Sequence, residues 1–282
     1  MSSDAYGYEF IQVEISAGVA FATIDNPPIN LISLPLFGEL AGLADAVAQD
    51  DRVRVLVLRS ANPDFFLAHF DVEAILGFPT QGEAVRSPDN AYHQMCERYR
   101  LMDTITLAQI EGRVGGGGSE LVSAFDMRFG VLGRTVINQM EVPLGILPGG
   151  GGTQRLPRML GRGRALEVIL AAEDLDAETA ERWGYLNRAL PPGEIGDFVD
   201  RLARRMAGHP PQALKLAKQA VNAADRPLSE GLEEEAFLFQ QLLRSEDAPL
   251  AMQRFLEAGG QTREGELRVA ELDLRLRPDA KA

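Results

Sequence analysis

The stretch that sets the fold class is Thr106–Val131, TLAQIEGRVGGGGSELVSAFDMRFGV. Thr106–Glu111 reads as a strand, four glycines follow, Ser119–Phe125 has a helical pattern, and Asp126–Val131 is strand again. Strand, glycine turn, helix and strand make a unit of an α/β fold. A polyglycine turn at such a junction exposes backbone N–H groups and lets a ligand approach the main chain. At a helix N-terminus those donors add to the positive end of the helix dipole, which suits a phosphate or a developing oxyanion. The turn is no P-loop, because the Gly-Lys-Ser/Thr ending is missing. It is no dinucleotide fingerprint either, because G-x-G-x-x-G with a later ribose-binding acid does not occur. The plain alternative is a tight packing turn. Four consecutive glycines cost conformational entropy, which favours a functional reason.

Working outward, Tyr8–Ile15 and Val19–Asn26 read as strands around Ser16-Ala17-Gly18, and Asn26-Pro27-Pro28 ends the second of them. Leu36, Leu40, Leu43 and Val47 fall on one helical stripe, and Arg52–Ser60 reads as a strand covered on both faces. Gly77–Asn90 has no period and reads as a flexible loop, followed by a helix through Tyr99–Met102. Pro148–Gly152 opens another helix, with Leu156, Met159 and Leu160 on its apolar side. Beyond Ala165 the pattern turns helical: Asp176–Trp183, Ile195–Ala207, Pro211–Ala224 and Glu230–Arg244, with breaks at Pro191-Pro192 and His209-Pro210-Pro211. The expected organisation is an α/β core over residues 1–190 carrying the site, and a helical region over 191–282. Glu264–Ala282, with Leu267, Val269, Leu272, Leu274 and Leu276, is either an amphipathic arm packing on a neighbour or a frayed tail.

The chain has 282 residues and a net charge of −13, which argues against nucleic acid as a partner. Lysine occurs only as Lys215, Lys218 and Lys281, so any phosphate anchor must be arginine, backbone N–H or another subunit. The single cysteine, Cys96, excludes an intrachain disulfide and reads as a spectator thiol. His69, His93 and His209 have no metal-ligand spacing, so no metal is expected. Met1–Ser16 lacks the basic and apolar regions of a signal peptide, and the most apolar runs are too short for a bilayer. The expectation is a soluble, cytoplasmic protein.

Two acids stand in unusual company. Glu120 follows the glycines, in what reads as the first turn of the next helix, where the helix dipole alone would favour it. Glu141 lies in mostly apolar surroundings, Asn138 to Gly145, where the bland alternative is an exposed loop acid. Two carboxyls brought into one apolar cleft would differ in pKa and could divide acid and base roles. Spacing alone does not bring them together.

At these residues the sequence resembles the crotonase (enoyl-CoA hydratase/isomerase) family. Ile110–Leu121 is similar to "NG-x-x-x-GGG-x-E-L", followed at the family's distance by Asp126. Glu141–Leu156, which contains Leu147-Pro148-Gly149-Gly150-Gly151-Gly152-Thr153-Gln154-Arg155, is similar to "PE-x-x-x-G-x-x-PG-x-GGTQRL". Phe65–Asp71 resembles "F-x-AG-x-D", and Asp176–Asn187 matches a later "A-x-x-A-x-x-x-G-L-V" segment; the likeness runs from about residue 10 to 255. The resemblance implies a crotonase fold of stacked β-β-α turns with a helical C-terminal trimerisation region, assembled as a homotrimer or a dimer of trimers. It implies an oxyanion hole from the N–H groups of Phe70 and Gly117, which would hold a thioester carbonyl. Glu120 and Glu141 fall on the positions that activate water and shuttle the α-proton, and Gly149 where an N–H helps place that water. The carbonyl of Ala68 falls where an adenine amine is accepted.

The implied activity is hydration of an enoyl-CoA or the reverse dehydration in fatty acid metabolism, with coenzyme A as part of the substrate and no permanently bound cofactor. Double-bond isomerisation, or cleavage of a β-dicarbonyl C–C bond without CoA, is the rival on the same site. A non-catalytic binding scaffold is disfavoured by retention of both glutamates. The sequence departs from the family at three places. His69 replaces a glycine, which adds a hydrogen-bonding group or narrows the adenine cradle. Glu73 stands where a cation is common, and Phe255–Gln261 replaces a basic C-terminal ending. These departures bear on how CoA is held.

Overall fold

The structure is a computed structural model that describes residues 4–84, 86–88 and 90–272. The proposed C-terminal arm therefore lies outside the described residues at Leu274 and Leu276. The chain divides into two compact units, one ending at Ala203 and one beginning at Arg204.

The first unit is built on two sheets. The larger has six strands in the order β1-β2-β3-β5-β7-β10: β1 Ile11–Ser16, β2 Val19–Ile24, β3 Val55–Ser60, β5 Ile105–Ile110, β7 Met127–Val131 and β10 Arg188–Leu190. β1 and β2 pair antiparallel around Ala17 and Gly18, both at positive φ, as a two-residue hairpin loop requires. The other neighbours are parallel. β5 is buried at all six positions, which accounts for its unbroken apolar character. The smaller sheet has the order β4-β6-β8-β9, with β4 Phe65–Leu67, β6 Arg113–Gly115, β8 Val136–Asn138 and β9 Leu175–Asp176. Leu36, Leu40, Leu43 and Val47 of α1 (Leu34–Gln49) are buried, as their stripe predicts.

Three times the chain runs along the larger sheet, turns into a short strand of the smaller one, and leaves through a helix or turn. β3 leads to β4 and α2 (Val72–Leu76); β5 leads to β6 and α4 (Gly116–Val122); β7 leads to β8 and then, through a turn, to α5 (Gly152–Leu160). Register aligns the ends of the short strands: Leu67 lies opposite Val114, and Gly115 opposite Asn138. The segments immediately beyond, 68–70, 116–120 and 139–141, therefore emerge side by side. This is the β-β-α stacking expected from the sequence. The short strands β4, β6, β8 and β9, of two or three residues each, carry no legible period and were not expected.

One expectation is corrected here. The glycines do not lead into a helix at Ser119; they form its first turn, so α4 begins at Gly116 and ends at Val122. Glycine is a poor helix former, but a Cβ on Gly118 would stand 2.7 Å from Leu67 Cβ and 2.8 Å from its carbonyl oxygen. Close approach to β4 decides the residue type. Glu120 consequently sits one turn deeper than expected.

Helices α3 (Ala91–Leu101), α6 (Arg162–Ala171) and α7 (Ala177–Trp183) complete the cover, and α8 (Ile195–Ala207) spans the division between the units. The second unit contains α9 (Pro211–Asn222), α10 (Leu228–Leu243), α11 (Asp247–Glu257), α12 (Arg263–Glu266) and α13 (Val269–Leu272). Among the described residues no helix is long and apolar enough to cross a membrane.

Asn30 anchors the approach to the smaller sheet. It is fully buried at φ 51°, accepts from the N–H of Asn26 (2.8 Å), and its amide faces Ser60 Oγ (2.8 Å) and the carbonyls of Phe65 (3.2 Å) and Phe66 (3.1 Å). Replacing Asn30 with Ala strands these groups and keeps the left-handed backbone without the side chain that tolerates it. Urea unfolding of Asn30→Ala should show a loss of about 2–4 kcal/mol; a loss below about 1 kcal/mol would remove Asn30 from this role.

Candidate active site

The three aligned chain segments supply the site. Around Phe70, the N–H of Ile32 donates to the His69 carbonyl (2.9 Å) and the N–H of Asp71 donates to the Ile32 carbonyl (3.0 Å). In such parallel pairing the residue between them, Phe70, turns its own N–H to the other side. There it meets Gly117: a Cβ added to Gly117 would lie 3.5 Å from the Phe70 nitrogen. Gly117 is the second residue of α4, so its N–H has no partner within the helix. Both residues line one cavity. Two backbone donors beside a helix N-terminus can hold an oxygen on which negative charge develops.

Glu120 is 4% exposed. Its Oε1 accepts from the N–H of Gly150 (2.8 Å) and of Gly152 (2.7 Å), at the start of α5. Burial pushes its pKa up to about 7; the Glu141 charge adds to that rise, while the two N–H groups and Arg155 oppose it. A Cβ on Gly150 would collide with Tyr92 (2.7 Å) and Glu120 Oε2 (2.8 Å), so this glycine is set by the carboxyl's approach.

Glu141 is 8% exposed, and burial raises its pKa too. Gln139, fully buried, is satisfied at both ends when its amide nitrogen donates to Glu141 Oε1 (3.1 Å) and Oε2 (3.0 Å) and its oxygen accepts from Ser119 Oγ (2.9 Å). Ser119 Oγ lies 2.7 Å from the buried Tyr185 hydroxyl, which can then donate to it. Every donor in this chain has an acceptor, and it ends on both oxygens of the carboxylate. The amide favours the ionised form and so works against burial.

Glu120 and Glu141 both face the cavity, whose volume is about 600 Å³. Of the other residues singled out in the sequence, Phe70, Gly117, His69 and Gly149 line it. The His69 ring is turned back on its neighbour, Nδ1 donating to the Phe70 carbonyl (2.8 Å). Gly149 offers its carbonyl to His93 Nε2 (2.7 Å), and it is Gly150 and Gly152 whose N–H groups reach Glu120. Ala68 is buried and is not part of the lining; its carbonyl lies against Gly115, where a Cβ would stand 2.6 Å away. Cys96 is buried with its thiol pushed up to about 12, first by desolvation, and suits a spectator. No group of three or more His, Cys, Asp or Glu able to hold a metal occurs among the described residues.

Sequence reasoning passed over Tyr92 and Gln139. Tyr92 donates to the Gly117 carbonyl (2.6 Å), stacks on Phe37 (5.7 Å between centroids) and meets Phe70 edge-on. Its one legible signal is an aromatic on α3, which is common in cores. Gln139 was visible only as the residue two before Glu141.

The enoyl-CoA hydratase/isomerase family model matches residues 14–264. The short-chain-enoyl-CoA hydratase of Clostridium acetobutylicum is 29% identical over 248 residues, 87% of this chain and 94% of the relative. The enoyl-CoA isomerase/hydratase of Mycosarcoma maydis is 36% identical over 248 residues, 84% of this chain and 89% of the relative. Among solved structures, the enoyl-CoA hydratase of Bacillus anthracis superposes with a TM-score of 0.81 at 28% identity, covering 88% of this chain and 96% of that one.

The raised pKa of Glu120 ties folding to pH. A carboxyl at about 7 when folded and near 4.5 when unfolded keeps its proton in the folded state over that interval. Its contribution to stability is therefore full below about pH 4.5 and is lost as pH rises through 7. Glu120→Gln should remove this dependence, so the stability gap between variant and parent should shift in the variant's favour by on the order of 3 kcal/mol from pH 4.5 to 8. Parallel urea profiles for the two proteins across that range would contradict the assignment.

Proposed function

The chain belongs to the enoyl-CoA hydratase/isomerase family, and from that membership we propose that it adds water across the double bond of a 2-enoyl-CoA and removes it in reverse. The observation that carries this reading is the pair of buried carboxyls facing one cavity beside the Phe70 and Gly117 donors.

The thioester oxygen is held by the N–H groups of Phe70 and Gly117, which stabilise the enolate as charge moves onto it. One carboxylate of the pair takes a proton from water while the water oxygen bonds to the β-carbon. The other, protonated, carboxyl gives its proton to the α-carbon. The C=C π bond and one water O–H bond break; a C–O and a C–H bond form. After turnover the proton has changed carboxyl, so hydration and dehydration both need a singly protonated pair. The Glu141 charge helps to raise Glu120, which couples the two titrations. Glu120, pushed up to about 7 chiefly by burial, keeps one proton on the pair near neutral pH, and the Gln139 amide lets Glu141 carry the charge.

Coenzyme A as part of the substrate is supported by the family and by the names of the relatives. Glu73 sits in the first turn of α2, where Asp71 Oδ1 accepts its N–H (2.9 Å), so an acid fits the helix N-terminus in place of the family's cation. Isomerisation of the double bond is the second reading, favoured by the Mycosarcoma maydis relative and open to the same proton shuttle. A cytoplasmic homotrimer or dimer of trimers remains our assembly proposal, supported by exposed Leu228, Leu232, Phe237, Phe239 and Leu243 on α10. Light scattering at micromolar concentration should give a trimer or hexamer mass; a monomer would contradict it.

Glu120→Gln and Glu141→Gln should each lower kcat for hydration of a 2-enoyl-CoA by about 10²–10⁴-fold. The product to follow is the 3-hydroxyacyl-CoA; a 3-enoyl-CoA instead would favour the isomerase. In the parent enzyme kcat/KM should fall on the alkaline side with a midpoint near 7, as the last shared proton leaves. Full activity in either variant removes that residue from the mechanism.

A further inference from the structure

Resting on that reading, we propose that the acyl group this site selects is uncharged, apolar and longer than four carbons, and that acyl groups ending in a carboxylate are excluded.

The cavity wall divides into two parts. One part holds the chemistry: Glu120, Glu141 and the Phe70 and Gly117 donors. The other is aromatic and aliphatic. Phe37 stacks on Tyr92, Phe70 stands edge-on to both, and Phe78 tilts against Phe70 at 6.3 Å between centroids. Neither Lys nor Arg lines the cavity among the described residues. Of the uncharged polar side chains present, the Tyr92 hydroxyl is spent on the Gly117 carbonyl, His69 Nδ1 on the Phe70 carbonyl, and Asn90 Oδ1 accepts from the His93 N–H (3.0 Å) as the cap of α3. A Cβ built on Gly116 would stand 3.1 Å from His69 Cβ and 3.2 Å from Glu141 Oε1, so His69 lies at the carboxyl end of the cavity.

The rim carries the second observation. Leu34, Phe78, Leu144, Ile146 and Leu147 line the cavity and are between 42% and 61% exposed. Five large apolar side chains exposed around one opening are costly in water unless a ligand covers them. A four-carbon acyl group leaves most of a cavity of about 600 Å³ unfilled. A longer apolar chain covers the rim, at roughly fourfold in affinity per buried methylene. A terminal carboxylate meets the reverse: no Lys or Arg in the lining, a largely apolar wall that solvates it poorly, and two acidic side chains in the same cavity.

Calorimetry with saturated acyl-CoAs tests this without turnover. Octanoyl-CoA should bind at least about tenfold tighter than butyryl-CoA. Adipyl-CoA should bind at least about tenfold weaker than hexanoyl-CoA, which has the same six carbons without the charge. Phe78, half exposed and thus replaceable without loss of the core, provides the variant. Phe78→Lys should move the adipyl-to-hexanoyl ratio toward adipyl by about tenfold. Equal binding of adipyl and hexanoyl, butyryl binding as well as octanoyl, or a ratio unmoved by Phe78→Lys would overturn the proposal. The hydratase reading fails separately: if the binding order holds but the matching 2-enoyl-CoAs are not hydrated, the acyl preference stands and the reaction does not. If none of the thioesters binds at millimolar concentration, both fall.

Discussion

The bond from the N–H groups of Gly150 and Gly152 to Glu120 Oε1 is the contact on which the site turns. It joins the helix after the second short strand to the turn that opens α5. It also sets the carboxyl's charge state. Desolvation would leave a buried acid protonated well past neutrality; two backbone donors pull the other way, and Glu120 comes to rest near 7. A carboxyl at that value can hold or release a proton under ordinary conditions, which an exposed glutamate does not do.

The surrounding structure serves to keep that acid close to a second one. Aligned ends of β4, β6 and β8 deliver Phe70, Gly117, Glu120 and Glu141 to one cavity. Gly118 is bare because Leu67 stands against it, and Gly150 because Tyr92 and Glu120 do. Glu141 is held differently, by an amide whose far end is locked through Ser119 to Tyr185. One acid is thus positioned by backbone and the other by side chains. Their environments differ although both are buried, and in the proposed reaction that difference would divide the labour between them.

Much of this was legible in the residues. Alternation and stripes marked β1, β2, α1, β3 and β5, and the positions of α8 and α10 followed from proline breaks and apolar spacing. The smaller sheet was not legible, because two or three residues are too few to show a period. The start of α4 was misplaced because helix propensity speaks against glycine, while the packing of Gly118 on Leu67 overrides it. Glu120 and Glu141 could be named from their motifs, yet the donors to Glu120 come from Gly150 and Gly152, thirty and thirty-two residues away. Gln139 and Tyr92 act through contacts that no local pattern announces.

The shared proton is best tested by watching the two acids themselves. Side-chain carboxyl carbons of Glu120 and Glu141 can be followed by carbon-detected NMR from pH 4 to 9, with Glu120→Gln and Glu141→Gln to assign them. Two coupled steps are predicted, the later one near 7, with each residue's curve shifted by loss of the other. Two independent curves, both complete in the ordinary glutamate range, would contradict a pair that shares one proton at neutral pH.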